Sequence, residues 1–182
     1  MNKIIDSFIW TVDSINNWIS SLVKWLSLLL VGIGSYEVLA RFLFNRPTGW
    51  GYEMFLMTGA TLNILSWGFL HKNYQHVKVD VIYSILSERS RKLINILCAV
   101  LMHIPFIGLL SYISFQKMLR AWKIGEVSIE TNWYPPLGPL KTIIFIGAFM
   151  FLLQTISNLI KDIIALKDLL KQSQNSRGRK ND

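Results

Sequence analysis

Leu22 to Phe44 reads LVKWLSLLLVGIGSYEVLARFLF, a run in which only Lys24, Glu37 and Arg41 are charged. An α-helix needs about 20 apolar residues to cross the roughly 30 Å hydrocarbon layer of a bilayer. Three further stretches meet that requirement, Tyr52 to Leu70, Leu93 to Phe115 and Leu140 to Ile160. A buried helix in a soluble protein of this size would be shorter and would show a polar face. The pattern predicts an all-α integral membrane protein, a four-helix bundle whose main solvent is lipid.

Working outward, composition agrees. Hydrophobic residues make up 52% of the 182 residues, and the mean hydropathy is +0.36. The length allows one domain. The single cysteine, Cys98, lies inside the third stretch, which excludes an intrachain disulfide or a cysteine-based metal site and reads as a buried thiol. The formal net charge is +8. Because the basic residues sit between and after the spans, membrane lipids with anionic headgroups account for them better than nucleic acid does.

The first 21 residues do not read as a cleaved signal peptide, since Asp6 and Asp13 interrupt them and no small-residue cleavage site follows. Ile5, Phe8, Ile9, Val12, Ile15, Ile19 and Leu22 recur at helical spacing, with Lys3, Asp6, Asp13, Asn16 and Asn17 mostly elsewhere on the wheel. Residues 1–21 therefore read as an amphipathic interfacial helix, with Trp10 and Trp18 suited to that depth. The alternative is that they lengthen the first span into one long tilted helix. Residues 22–161 then form the transmembrane domain. Residues 162–182 form a helical extension that gives way to a disordered basic tail from Gln172.

Four spans put both termini on one side. Placing them in the cytoplasm gives the inner side thirteen of the nineteen Lys and Arg, as the positive-inside rule favours. Pro47, Thr48 and Gly49 punctuate a turn that folds the first two spans into a tight hairpin. Asp80 reads as the N-cap of a short inner-loop helix through Val81, Ile82, Ile85 and Leu86. Trp133 to Pro139 is an aromatic, rigid approach to the last span.

Few residues could carry chemistry. Glu37 lies about 10 Å below the end of the first span, and an intramembrane acid is a functional candidate by default. Arg41, four residues on, offers a structural alternative, because Glu before Arg at this spacing is the favourable order for a helical pair. A coupling site needs several converging polar groups near the midplane, so the pair is preferred. Of His71, His76 and His103, only His103 is deep in a span, which argues against a haem held by two histidines. Pro105 predicts a bend in the third span, with local polar groups satisfying the freed carbonyl. No phosphate loop, metal pattern or nucleophile motif is present, so neither an enzyme nor a cofactor is expected. Gly147, Gln154 and Asn158 share one face of the last span, as Gly59, Asn63 and Ser66 do in the second; small and amide side chains suit helix packing in lipid.

Arg41-Phe42-Leu43-Phe44-Asn45, then Trp50 and Glu53, then His76-Val77-Lys78-Val79-Asp80 after a second span, resembles the small membrane subunit (DctQ-type) of TRAP transporters, the tripartite ATP-independent periplasmic transporters. One position departs: family members often carry two acids after the tryptophan, and here Tyr52 precedes Glu53. The resemblance implies a non-catalytic scaffold in the bacterial inner membrane. It would dock on a large multispan subunit that imports an organic acid, a carboxylate or sialic acid, on a sodium gradient. A periplasmic substrate-binding protein would deliver that acid. It further implies structural roles: a salt bridge between Arg41 and Glu53 closing the hairpin, Asn45 and Trp50 shaping the loop, His76 and Asp80 ordering the inner loop. Gln154 and Asn158 are candidates for a packing interface. A self-contained oligomeric small transporter or channel is the competing reading, and would need Glu37, Asn63, Gln154 and Asn158 as a polar lining.

Overall fold

A computed structural model describes residues 3–46, 48–73 and 87–178, with side chains described through residue 171. Helix α1 runs Lys3–Phe44 and α2 runs Gly49–Lys72. Then come α3 (Glu88–Cys98), a π-helical turn (Ala99–His103), α4 (Ile104–Ile124) and α5 (Gly138–Gly178). Among the described residues the only β pairing is an isolated bridge, Val127 to Pro136.

Local chemistry sets the ends. Asn45 adopts a left-handed conformation (φ 51°), which Asn tolerates better than most residues, and the Arg46 N–H closes the turn onto the Ala40 carbonyl at 3.2 Å. Thr48 then caps α2, its hydroxyl accepting the Gly51 N–H at 3.2 Å. Ser87 caps α3 through the Ser90 N–H. Gly125, left-handed at φ 60°, stops α4. Pro105 sits in the first turn of α4, immediately after the π turn. Proline has no N–H to donate and crowds the preceding turn; the wider turn makes room for it, and the His103 ring nitrogen Nδ1 lies 3.2 Å from the Cys98 carbonyl.

Three expectations change. The first concerns the interfacial helix expected over residues 1–21: α1 is unbroken over 42 residues from Lys3, about 63 Å, so residues 3–21 contribute the first half of a single rod and not a separate helix. The physical reason is that Val12, Asn16 and Ile19 are buried, so the amphipathic stripe faces protein. Second, among the described residues three helical stretches are long and apolar enough to cross a membrane: Lys3–Phe44, Glu88–Ile124 and Gly138–Lys171. The expected span at Tyr52 to Leu70 is helical and lies within α2, but Glu53, Thr58, Asn63, Ser66 and two glycines dilute its apolar character. Third, α5 continues as helix to Gly178, past Gln172, where polar composition predicts disorder. The inner-loop helix expected after Asp80 lies outside the described residues.

The helices do not close into a ring. α5 is central, packing against α2, α3 and α4 and, less extensively, α1; α1 otherwise packs on α2. Among the described residues α1 and α4 form no packed pair. The order α1–α2–α5–α4 is therefore an open row, thickened at one end where α1 also meets α5. Burial follows: 39% of the most apolar window of α5 is buried, against 6% for α1 and 6% for Glu88–Ile124.

Candidate functional site

Polar side chains gather at the two ends of this row. At the α1–α2 hairpin, the Glu37 carboxylate accepts the Thr48 hydroxyl and, at 3.3 Å, the Thr48 N–H. Thr48 in turn caps α2, so an acid from α1 secures the cap of the next helix. A Cβ at Gly51 would collide with both Glu37 Oε2 and Thr48 Oγ1, so the clamp requires glycine there. Trp50 stacks on Tyr36, ring centroids 5.5 Å apart. Beside the hairpin, the segment after α4 folds back through Ser128 N–H to Pro135 carbonyl (2.9 Å) and Leu137 N–H to Glu126 carbonyl (2.8 Å). Its Thr131 hydroxyl donates to Glu53, a side chain 2% exposed. Glu53 Oε2 finds no partner among the described residues. Lys141 pairs with Glu126 at 2.5 Å.

The opposite end is built around Gln154, which is fully buried. Its amide oxygen accepts Asn16 Nδ2 at 2.7 Å, and its amide nitrogen donates to Asp13 Oδ1 and Asn158 Oδ1, both at 3.1 Å. Asn158 Nδ2 donates to the His71 carbonyl at 2.7 Å, near the end of α2. Lys161 holds the Asp13 carboxylate at 2.8 Å, and Lys72 reaches Asn17 Oδ1 at 2.7 Å. Lys92 of α3 joins Asp162 of α5 at 2.6 Å. This cluster ties α1, α2 and α5 together, with α3 fastened alongside. Gly68 admits Asn16: a Cβ there would overlap Asn16 Oδ1.

The separation of the two ends is informative. From Asn16 to Glu37 along α1 is about 32 Å, and from Lys141 to Lys161 along α5 about 30 Å. Both match the hydrocarbon thickness of a bilayer.

The sequence candidates distribute unevenly. Gln154 and Asn158 do meet, in the second cluster. Glu37, Asn45, Trp50 and Glu53 shape the hairpin end, Asn45 through its backbone. The expected Glu37–Arg41 pair is not formed: Glu37 turns to Thr48, whose N–H and hydroxyl are both within reach. The expected Arg41–Glu53 salt bridge is also absent among the described residues, since Glu53 is buried against Thr131 while Arg41 is exposed. His76 and Asp80 lie outside the described residues. Asp13, Asn16, Thr48, Thr131 and Lys161 were missed. One signal for Asn16 was present, its position between Val12 and Ile19 on the apolar stripe. The histidines give a further correction: His71 and His103, expected at different depths, have ring centroids 5.7 Å apart, with Phe151 edge-on to His71 at 5.1 Å. Among the described residues no three His, Cys, Asp or Glu side chains gather to hold a metal ion.

No curated relative matches the chain. A family model does, described as "Tripartite ATP-independent periplasmic transporters, DctQ component", over residues 30–165. That range takes in the hairpin clamp, Gln154, Asn158 and Lys161, and leaves out Asp13 and Asn16. With most of its length matched and three helices fit to cross a bilayer, the chain belongs to the DctQ family as a small membrane subunit of a TRAP transporter.

Proposed function

We propose that this subunit is a non-catalytic scaffold, embedded in the bacterial inner membrane with both termini cytoplasmic and all four long helical segments, α2 included, inside the bilayer. It docks on the large multispan transport subunit and steadies it. That subunit imports an organic acid, a carboxylate or sialic acid, on a sodium gradient, after a periplasmic binding protein has delivered it. The observation that carries this reading is the division of the row into polar ends and bare flanks. Polar groups are engaged with each other at the two ends, while the apolar flanks of α1 and α4 stay uncovered. A protein that only holds a neighbour in place needs that division.

The self-contained transporter or channel fares worse. Of its four lining candidates, Glu37 is held by Thr48, and Gln154 and Asn158 are buried in mutual hydrogen bonds. Asn63 accepts Trp67 Nε1 at 2.9 Å on its own helix. None projects as a row that oligomerisation could assemble into a pore.

Affinity purification of the tagged chain from its native membrane in mild detergent, with mass spectrometry, tests the proposal. A stoichiometric large multispan protein is expected. Recovery of this chain alone as a stable oligomer, active in liposomes, would sink it. Substituting Arg41 or Glu53 should lower recovery of the large subunit more than it lowers insertion. Transport lost with the complex intact would contradict a purely structural role for those two residues.

A further inference from the structure

Lys24 is out of place. It lies on α1 about 12 Å from Asn16 and about 20 Å from Glu37, well between the two polar ends. It is exposed and makes no hydrogen bond or ion pair among the described residues. Charged side chains at membrane depth face a partner or a water-filled space, because lipid tails cannot solvate them. Lys24 heads a stripe continued by Leu28, Val31, Ser35, Val38 and Phe42, spaced four and three apart and so on one face of the helix. Leu28, Val31, Val38 and Phe42 are 64%, 65%, 54% and 80% exposed, so this face turns away from Asn16, Ile19 and Ala40, which pack inward. Beside it runs an open groove of about 650 Å³ whose walls include Val31, Gly34, Ser35, Val38 and Phe55 of α2. Gly34 is covered by the Phe55 ring, 3.0 Å from where a Cβ would stand, while the small, exposed Ser35 beside it leaves room for another helix to come close.

We propose that this α1 stripe and groove dock a transmembrane helix of the large subunit, and that an acidic residue on that helix meets Lys24. The inference rests on the scaffold reading and specifies its face. The occupant is a helix bearing an acid, because a cation at depth, a polar Ser35 and an apolar concavity coincide on one face. A lipid chain would fit the groove but would leave the ammonium to reach for the headgroups by snorkelling.

The test uses the whole complex in native membranes. A photo-crosslinking residue is placed at Ser35, and separately at Leu109 on the exposed side of α4 (58% exposed). In parallel, Lys24→Glu and Lys24→Arg are compared for recovery of the large subunit, with membrane insertion of each variant measured. Where Lys24→Glu fails to insert, Lys24→Gln takes its place. Crosslinks to the large subunit from Ser35 but not Leu109, a tenfold or greater loss of recovered partner in Lys24→Glu, and retention in Lys24→Arg would support the proposal. Wild-type recovery in Lys24→Glu with Ser35 crosslinking only to lipid would overturn it in favour of snorkelling. Crosslinks from Leu109 alone would overturn the docking face and leave the subunit role standing. Absence of any large partner with the unsubstituted chain would overturn the scaffold reading itself.

Discussion

The two polar ends of the row are built on opposite principles. At the hairpin end, the Glu37–Thr48 contact spans 11 residues of sequence, and the clamp follows from one tight turn. At the other end, Asn16 and Gln154 are 138 residues apart and Lys161 and Asp13 are 148 apart, so the contacts exist only once α1, α2 and α5 have assembled. A local clamp loses little chain entropy on closing, whereas a long-range one must overcome the cost of joining distant segments. The Gln154 cluster is therefore where tertiary structure is at stake, and the hairpin clamp is where one connection is shaped.

The comparison breaks most visibly at Gln154. Gln154→Ala takes one hydrogen bond each from Asn16, Asp13 and Asn158 and strands the buried Asn158 Oδ1 acceptor, where an unpaired polar group costs about 1–3 kcal/mol. A loss of about 2–3 kcal/mol in thermal or denaturant stability in detergent is expected, larger than for any hairpin substitution. Next comes Gly68→Ala, whose Cβ displaces Asn16 and so weakens the same cluster from a different helix. If the clusters are coupled as described, Gly68→Ala should have little added effect in the Gln154→Ala background, a double-mutant cycle with clear non-additivity. Additive losses would show that Gly68 acts through packing alone.

Smaller effects should separate the ends further. Asp13→Asn removes one charge of a partly exposed pair with Lys161 (23% and 30% side-chain exposure), so screening limits the loss to about 1 kcal/mol or less. It should shrink in high salt. Glu37→Gln keeps one acceptor for Thr48, and the clamp should weaken by about 1 kcal/mol, seen as faster hydrogen exchange confined to the first turn of α2. Arg41→Ala, at an exposed position with no partner among the described residues, should leave the isolated subunit's melting unchanged. A marked drop there would show that a contact of Arg41 within the chain has been overlooked.

The contrast between ends also marks what the sequence makes legible. Long apolar runs located α1, α4 and α5 because hydropathy over 20 residues is a strong local signal, and Pro47-Thr48-Gly49 located the hairpin because turn chemistry is local too. The continuity of α1 was obscured by Asp13, Asn16 and Asn17. On a lone helix they read as a water-facing side, yet Asn16 is buried beneath α5. Nothing within α1 announces a partner 138 residues away. The Glu37–Arg41 spacing suggested a pair by a rule that holds for an isolated helix, and the hairpin overrode it by bringing Thr48 within reach. Depth failed as a guide for His71 and His103, since counting residues along each span assumes parallel, regular helices, while the chain between Cys98 and Ile104 takes a wider turn. The family motif carried the assignment where residue chemistry alone left a scaffold and a channel both open.

Most large apolar side chains of α1 and α4 reach the surroundings, so the stability of the subunit belongs in part to those surroundings. If the proposed docking covers one face, the folded form gains RT ln(1 + [partner]/Kd) by mass action. The subunit's melting temperature should therefore rise with the amount of partner present and shift with the lipid or detergent on its other face, as it would not for a closed bundle that carries its own interior.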